Sequence, residues 1–227
     1  MNLDHCEFPE DRFYDVENDT WFQVLENQGK RIGRVGISTI LVFLSGKITS
    51  VKYRPLVEEI ERGKSIATLE SIKYVGAVRS PVDGMVSQLN EDLILNPEPL
   101  WKSPYESWIA EYESFDAKSL GVLKYGAEAR NGLVERIKEL HVRCFKQLPD
   151  EEMFSIGTEC TTTLANLNEL LKEKPAEYVV HLVTDDPTAD IEMVRWSMQT
   201  RNELLESRKE GNLEHFIVRK SPVSGHM

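Results

Sequence analysis

Residues Leu69–Gly84 read LESIKYVGAVRSPVDG, and this stretch decides the fold. Lys73 stands in it between two β-rich runs, with Gly63 upstream and Gly84 downstream at nearly equal distance. "SIATLE" and "YVGAVRS" have strand content. "SPVDG" is a turn in which Pro81 fixes φ and Gly84 is expected to take the positive φ of a reversal. Two strands running to and from a tight turn hold the turn residue out in solvent on a rigid base. A lysine is ordinarily a solvated charge. A long amine on a stiff platform also suits a covalent attachment point, modified by one enzyme and then visited by others.

Outward from this stretch the same punctuation continues. "TWFQVLE", "GRVGIS", "KITSVKY" and "GMVSQLN" read as short strands, and "TILVFLSG" reads as a helical turn ended by Gly46. Closely spaced strands of this kind predict a β-sandwich or barrel over residues 1–115. From Ala127 to Leu148 the apolar positions Leu133, Ile137, Leu140, Cys144 and Leu148 recur at helical spacing, which predicts a linker helix within residues 116–150. Residues 151–220 alternate element types. "MFSI" is a strand, "TECTTTLANLNELLKEK" a helix on Leu164, Leu167 and Leu171, and "EYVVHLVTD" a strand. "DPTADIEMVRWSMQTRNELLESRKEG" reads as a second helix, with Ile191, Val194, Met198 and Leu205 as its stripe and Gly211 as its stop, and "LEHFIVRK" as a last strand. The order βαβαβ predicts a two-layer α/β sandwich with both helices on one face. Residues 221–227 form a polar tail. The chain therefore reads as multi-domain.

Composition narrows the functions. The 227 residues are 41% hydrophobic and 29% charged, as in an ordinary globular protein. A formal net charge of −11 argues against nucleic acid and against an anionic membrane surface. No apolar run approaches a spanning helix and the N-terminus lacks the order of a signal peptide, so a cytoplasmic protein is expected. Cys6, Cys144 and Cys160 are too few and too scattered for a disulfide framework and contain no C-x-x-C pair. Cys144 is assigned to core packing on the helical stripe, and Cys6 supports no inference. No Gly-rich phosphate loop, H-E-x-x-H helix or G-x-S-x-G elbow occurs, and no metal site is expected. His181 and His215 read as structural, and Asp185 and Asp186 as helix-capping.

The lysine stretch resembles the lipoyl domain of the glycine cleavage H-protein family, a β-sandwich or hammerhead barrel. The likeness lies in Glu70, Ser71, Ile72 and Lys73, in Gly63, Pro81, Val82 and Gly84, and in the downstream run closing on Pro104, Tyr105 and Trp108. It covers roughly Phe8 to Phe115. It implies that lipoate is attached covalently to Lys73 by a lipoate ligase or lipoyl transferase, with Glu70 either read by that enzyme or simply solvated. The family's His-Glu-Trp sequence is replaced by "NDTW", where Trp21 alone is recognisable. That departure bears on the partner set rather than on attachment.

Cys160 follows a short strand and opens a helix, with Gly157 allowing a sharp turn and Thr158 a candidate N-cap. A helix N-terminus favours an anion and lowers a thiol pKa, while Glu159 beside it opposes that effect. This region resembles the TusA/SirA-like sulfur-carrier family in "IGTEC", "VTDDPTADIEMVRWSMQ" and "EHFIVRK". The resemblance implies that Cys160 carries a persulfide. The family's Cys-Pro-x-Pro is here Cys160-Thr161-Thr162-Thr163.

Together the resemblances imply a covalent carrier rather than a turnover enzyme, with sulfurtransferase activity at Cys160 a weaker reading. The arm on Lys73 would shuttle sulfur, or another lipoyl-bound group, between enzymes of cytoplasmic sulfur metabolism. The competing reading is a glycine cleavage system H protein carrying an aminomethyl group among glycine-cleavage enzymes, its C-terminal domain an interaction module.

Overall fold

The computed structural model describes residues 1–27, 29–55 and 59–222. The chain divides into two compact units, Met1–Cys144 and Phe145 onward. The first opens on a miniature hairpin, β1 (Asn2–Leu3) and β2 (Cys6–Glu7), turned by Asp4 and His5 at positive φ. Strands β3 (Phe13–Asp15), β4 (Thr20–Asn27) and β5 (Lys30–Ile37) follow, then helix α1 (Thr39–Ser45), then β6 (Ser50–Tyr53), β7 (Glu59–Ile60), β8 (Ser65–Glu70), β9 (Val75–Arg79) and β10 (Gly84–Leu89). Two single-turn helices, α2 (Asp92–Leu95) and α3 (Pro99–Lys102), lead to β11 (Ala110–Phe115). After α4 (Ala117–Leu120) and β12 (Lys124–Tyr125), a 3-10 turn at Gly126–Ala129 enters α5 (Arg130–Glu139).

These strands form a seven-stranded antiparallel sheet in the order β12-β3-β4-β5-β11-β10-β7 and a three-stranded sheet β6-β8-β9. The expected β-sandwich or barrel is present in this unit. The sheets meet where Ser80, just beyond β9, hydrogen-bonds the buried Tyr112 hydroxyl of β11 at 2.7 Å. Alternation in β8 turns Ala67 and Leu69 into the core.

Two local expectations are corrected here. Gly84 does not take positive φ. It opens β10 because a Cβ there would lie 2.4 Å from the Ser114 carbonyl oxygen, so close strand approach, not a reversal, requires glycine. The helix expected over Ala127–Leu148 ends at Glu139, and His141 at φ 51° turns the chain away. The helix belongs to the body of the unit, since Leu133 and Ile137 share a buried cluster with Trp21, Phe8 and Ile40.

Cys144, expected on that helix, lies beyond it and forms a disulfide with Cys6, 138 residues away, with Cα atoms 5.1 Å apart. The sequence reading, which took the cysteines as too few and too scattered for a disulfide framework and gave Cys144 to core packing, missed this pair. Sequence distance was no guide, because the small N-terminal hairpin lies back against the end of α5.

The second unit contains β13 (Glu151–Ser155), α6 (Cys160–Lys172), β14 (Val179–Thr184), α7 (Ala189–Thr200), β15 (Glu203–Glu210) and β16 (Leu213–Arg219). The sheet order is β13-β14-β16-β15, with β13 and β14 parallel and the other pairs antiparallel. A two-layer α/β arrangement was expected, with one strand fewer. The reading of one helix through to Gly211 is wrong. Arg201 takes a left-handed φ of 64°, the helix stops at Thr200, and "ELLESRKE" pairs as a strand along β16. Gly211, at φ 65°, belongs to the following hairpin. The buried side chains of α7 are Ala189, Met193 and Trp196, while Ile191, Val194 and Met198 are exposed. Trp196 wins the core because its Nε1–H donates to Asn168 Oδ1 of α6 at 2.8 Å, which anchors that face inward. Of the expected polar tail, residues 223–227 lie outside the described residues.

Candidate functional site

Lys73 stands at the tip of the β8–β9 hairpin. The ladder closes at Glu70↔Val75, and the Ser71 N–H donates to the Tyr74 carbonyl at 2.8 Å, leaving Ile72 and Lys73 as the two tip residues. Both are exposed, Ile72 to 98%. Val75 is also 72% exposed, so the tip presents apolar surface on both sides of the amine. Tyr74 folds back over Gly76, where a Cβ would lie 2.0 Å from its hydroxyl oxygen. Burial, and then the charge of Asp19, push the Tyr74 phenol above its ordinary value, so it stays neutral.

The tip is buttressed from one side by α1. The Ser71 hydroxyl donates to the Ser45 carbonyl at 2.5 Å, occupying an end group of the helix. The Lys73 amide N–H reaches back to the Ser71 oxygen at 3.3 Å. Gly46 caps α1 at φ 71°, and a Cβ on it would lie 3.0 Å from Lys73 Cε, so the aliphatic stem of the lysine runs over bare backbone. The other end of α1 is fixed as well. The Thr39 N–H donates to the Tyr105 hydroxyl at 3.1 Å, and the Thr39 hydroxyl donates to the Glu7 carbonyl at 2.9 Å. Burial raises the Tyr105 phenol to about 12, keeping it a neutral hydrogen-bonding group. Trp21 joins this support by donating from Nε1 to the Pro104 carbonyl at 3.1 Å, with Arg12 over its ring. Glu70 pairs with Lys52 at 2.6 Å on the strand next to β8. Ser45 and Thr39 were not singled out in the sequence, and Gly46 was read there only as the stop of the short apolar helix.

Cys160 lies in the second unit and is described there alone. It does open α6, and Gly157 does take positive φ (67°), but the residue at the N-cap is Glu159, not Thr158. The Cys160 N–H donates to Asp186 Oδ2 at 2.8 Å, and the Gly157 N–H to Asp185 Oδ1 at 2.7 Å. Asp186 also accepts from the Thr188 N–H, so it serves the first N–H of α6 and the approach to α7, while Asp185 holds the Gly157 turn and caps no helix. The expected thiolate stabilisation is reversed. Burial and the charges of Asp186 and Glu192 raise the Cys160 thiol, because a carboxylate already occupies the position where a thiolate would gain. His181 and His215 are buried and lie 2.9 Å apart, Nε2 to Nδ1. Among the described residues no group of three or more His, Cys, Asp or Glu side chains is arranged to hold a metal ion. No described helix is long and apolar enough to cross a membrane.

A lysine displayed at a hairpin tip on a β-sandwich is the arrangement that a carrier of a covalent group needs. Residues 12–136 match the model of the glycine cleavage H-protein. The chain belongs to the glycine cleavage H-protein family, whose members carry lipoate covalently on a lysine. It is 35% identical over 141 residues to glycine cleavage system H protein 2 of Aquifex aeolicus, covering 61% of this chain and 86% of the relative. It is 32% identical over 143 residues to a probable glycine cleavage system H protein 2 of Sulfolobus acidocaldarius, covering 62% and 94%. A crystal structure of a glycine cleavage system H protein from Mycobacterium marinum aligns with a TM-score of 0.42 at 22% identity, over 51% of this chain and 98% of that one. The family match leaves the second unit outside it.

Proposed function

We propose that the chain is a lipoyl carrier acting as the H protein of a glycine cleavage system, with Lys73 as its attachment lysine. The observation that carries this reading is the exposed Lys73 at the buttressed tip of the β8–β9 hairpin, within the matched family region. The residues present fit the group, because an accessible primary amine with exposed Ile72 and Val75 beside it leaves room for amide formation at Nζ. When bound, lipoate would supply a dithiolane whose S–S bond opens to take up a group; release of the group leaves a dithiol, which a two-electron oxidant returns to the disulfide. The chain's own residues hold and orient. Ser71 and Ser45 fix the tip on α1, and Gly46 leaves room for the lysine stem. The partners are then a lipoate ligase or lipoyl transferase, followed by the enzymes of glycine cleavage.

The sulfur-relay reading, with a TusA-like second unit and a persulfide on Cys160, receives less support. Its nucleophile sits against Asp186 and is raised, not lowered. An interaction role for the second unit accords better with exposed Ile191, Val194 and Met198 on α7. A cytoplasmic location remains part of the proposal.

Incubation with lipoate, ATP and a lipoate ligase, followed by glycine-dependent assay with the other glycine-cleavage enzymes, tests the reading. Turnover with the loaded wild type and none with Lys73→Arg is expected. Loading without any turnover, beside an active reference H protein, rejects the glycine-cleavage assignment.

A further inference from the structure

We propose that the Cys6–Cys144 disulfide is a redox-sensitive lock on the platform that presents Lys73, acting through β2 and α1. The route is continuous. Cys6 lies in β2, and the next residue, Glu7, accepts the Thr39 hydroxyl of α1 at 2.9 Å. Ile40, with Phe43 and Leu44, packs in the cluster that contains both half-cystines. At the far end of α1 the Ser45 carbonyl receives the Ser71 hydroxyl, and Gly46 lies under the Lys73 stem. The β1–β2 hairpin has two residues per strand, and its turn residues Asp4 and His5 sit at φ 49° and 65°. So small a hairpin does not hold itself together in water. Leu3, Cys6 and Phe8 pack it into the cluster with Leu133 and Ile137, and the covalent link adds to that hold.

Reduction by an external dithiol breaks the Cys6–Cys144 sulfur–sulfur bond and forms one in the reductant. Two electrons and two protons pass to the protein, giving two thiols. Both cysteines are buried, at 0% and 1% exposure, so attack waits on opening of the N-terminal hairpin. Once the thiols form, that hairpin opens more readily, and each opening takes the Glu7 partner from Thr39 and apolar cover from Ile40. Local opening of α1 then becomes easier, and the Lys73 hairpin loses its buttress. The lock acts on the hairpin whether or not Lys73 is acylated. Only its consequence for loading rests on the carrier reading.

Hydrogen exchange on the full chain, oxidised and after dithiothreitol, tests this. On reduction, exchange at Val42–Gly46 and Ser71–Tyr74 should accelerate at least about tenfold more than in β4, β5 and β11, whose change reports the stability of the whole unit. Faster exchange confined to residues 1–8 and 141–144 overturns the proposal. Uniform loss of protection in every strand also overturns it, since the bond is then a staple of the whole unit. In Ser71→Ala the response of Val42–Gly46 should persist and that of Ser71–Tyr74 should vanish. A persisting tip response overturns the proposed route. Loading by lipoate ligase, measured in parallel, separates the two claims. An intact exchange response without any loading sinks the carrier reading and leaves the lock. Loading without the exchange response does the reverse.

Discussion

Lys73 is exposed at the two-residue tip of its hairpin, and its stem runs over the bare backbone of Gly46. Lys73→Arg should therefore abolish lipoylation by mass spectrometry yet change unfolding free energy by no more than about 0.5 kcal/mol, as expected for an exposed site. Cys160 behaves oppositely. Its thiol is buried beside Asp186 and raised by burial first and by Asp186 second. In the folded chain it keeps its proton where the unfolded chain has lost it. The linked stability is thus fully present below the unfolded pKa and is lost as pH rises through the folded one. Iodoacetamide labelling of Cys160 should accordingly run slower at pH 8 than that of a free thiol, and Asp186→Asn should accelerate it several-fold. Labelling faster than a free thiol would restore the case for a reactive sulfur.

Among the elements, α1 carries the site, being tied at Thr39 and at Ser45. Gly46→Ala should cost about 1–3 kcal/mol by urea denaturation, since φ 71° with ψ −158° is essentially open to glycine alone. It should also slow Lys73 loading, because the new methyl crowds the stem. Helix α5 is held by Arg136, whose Nε and Nη2 donate to the two oxygens of buried Asp19 at 3.1 and 2.9 Å. Arg136→Ala, which strands that carboxylate, should destabilise the protein by about 2–3 kcal/mol in the same measurement, discounted for the partly exposed arginine. A change under about 0.5 kcal/mol would mean that Asp19 is satisfied elsewhere. The strands flanking Lys73 and helix α1 were legible because alternation, glycine and proline all agree there. The β15 strand was hidden, since Glu203–Glu210 is made of strong helix formers and becomes a strand by pairing with the buried Phe216, Ile217 and Val218 of β16. In α7 the sequence offers two apolar stripes. Periodicity picked Ile191, Val194 and Met198, but the Trp196–Asn168 bond turns the other one inward.

At the scale of the molecule, the disulfide joins the start of the first unit to its last residue. Closing a loop of 138 residues restricts the unfolded chain by about 5 kcal/mol in the chain-entropy treatment. The double variant Cys6→Ser/Cys144→Ser should lose about 3–5 kcal/mol in urea, with transitions that remain cooperative. Such bonds persist in oxidising compartments and inside hyperthermophiles. The pair therefore bears on the cytoplasmic location expected from the sequence. The central claim, however, is a single bond at Lys73 Nζ. Peptide mapping by mass spectrometry after treatment with lipoate ligase, lipoate and ATP addresses it directly. One lipoyl increment on the peptide containing Lys73, and on no other, is the predicted result. An increment on Lys47 or Lys52, or none beside a control lipoyl domain that is fully loaded, would contradict it.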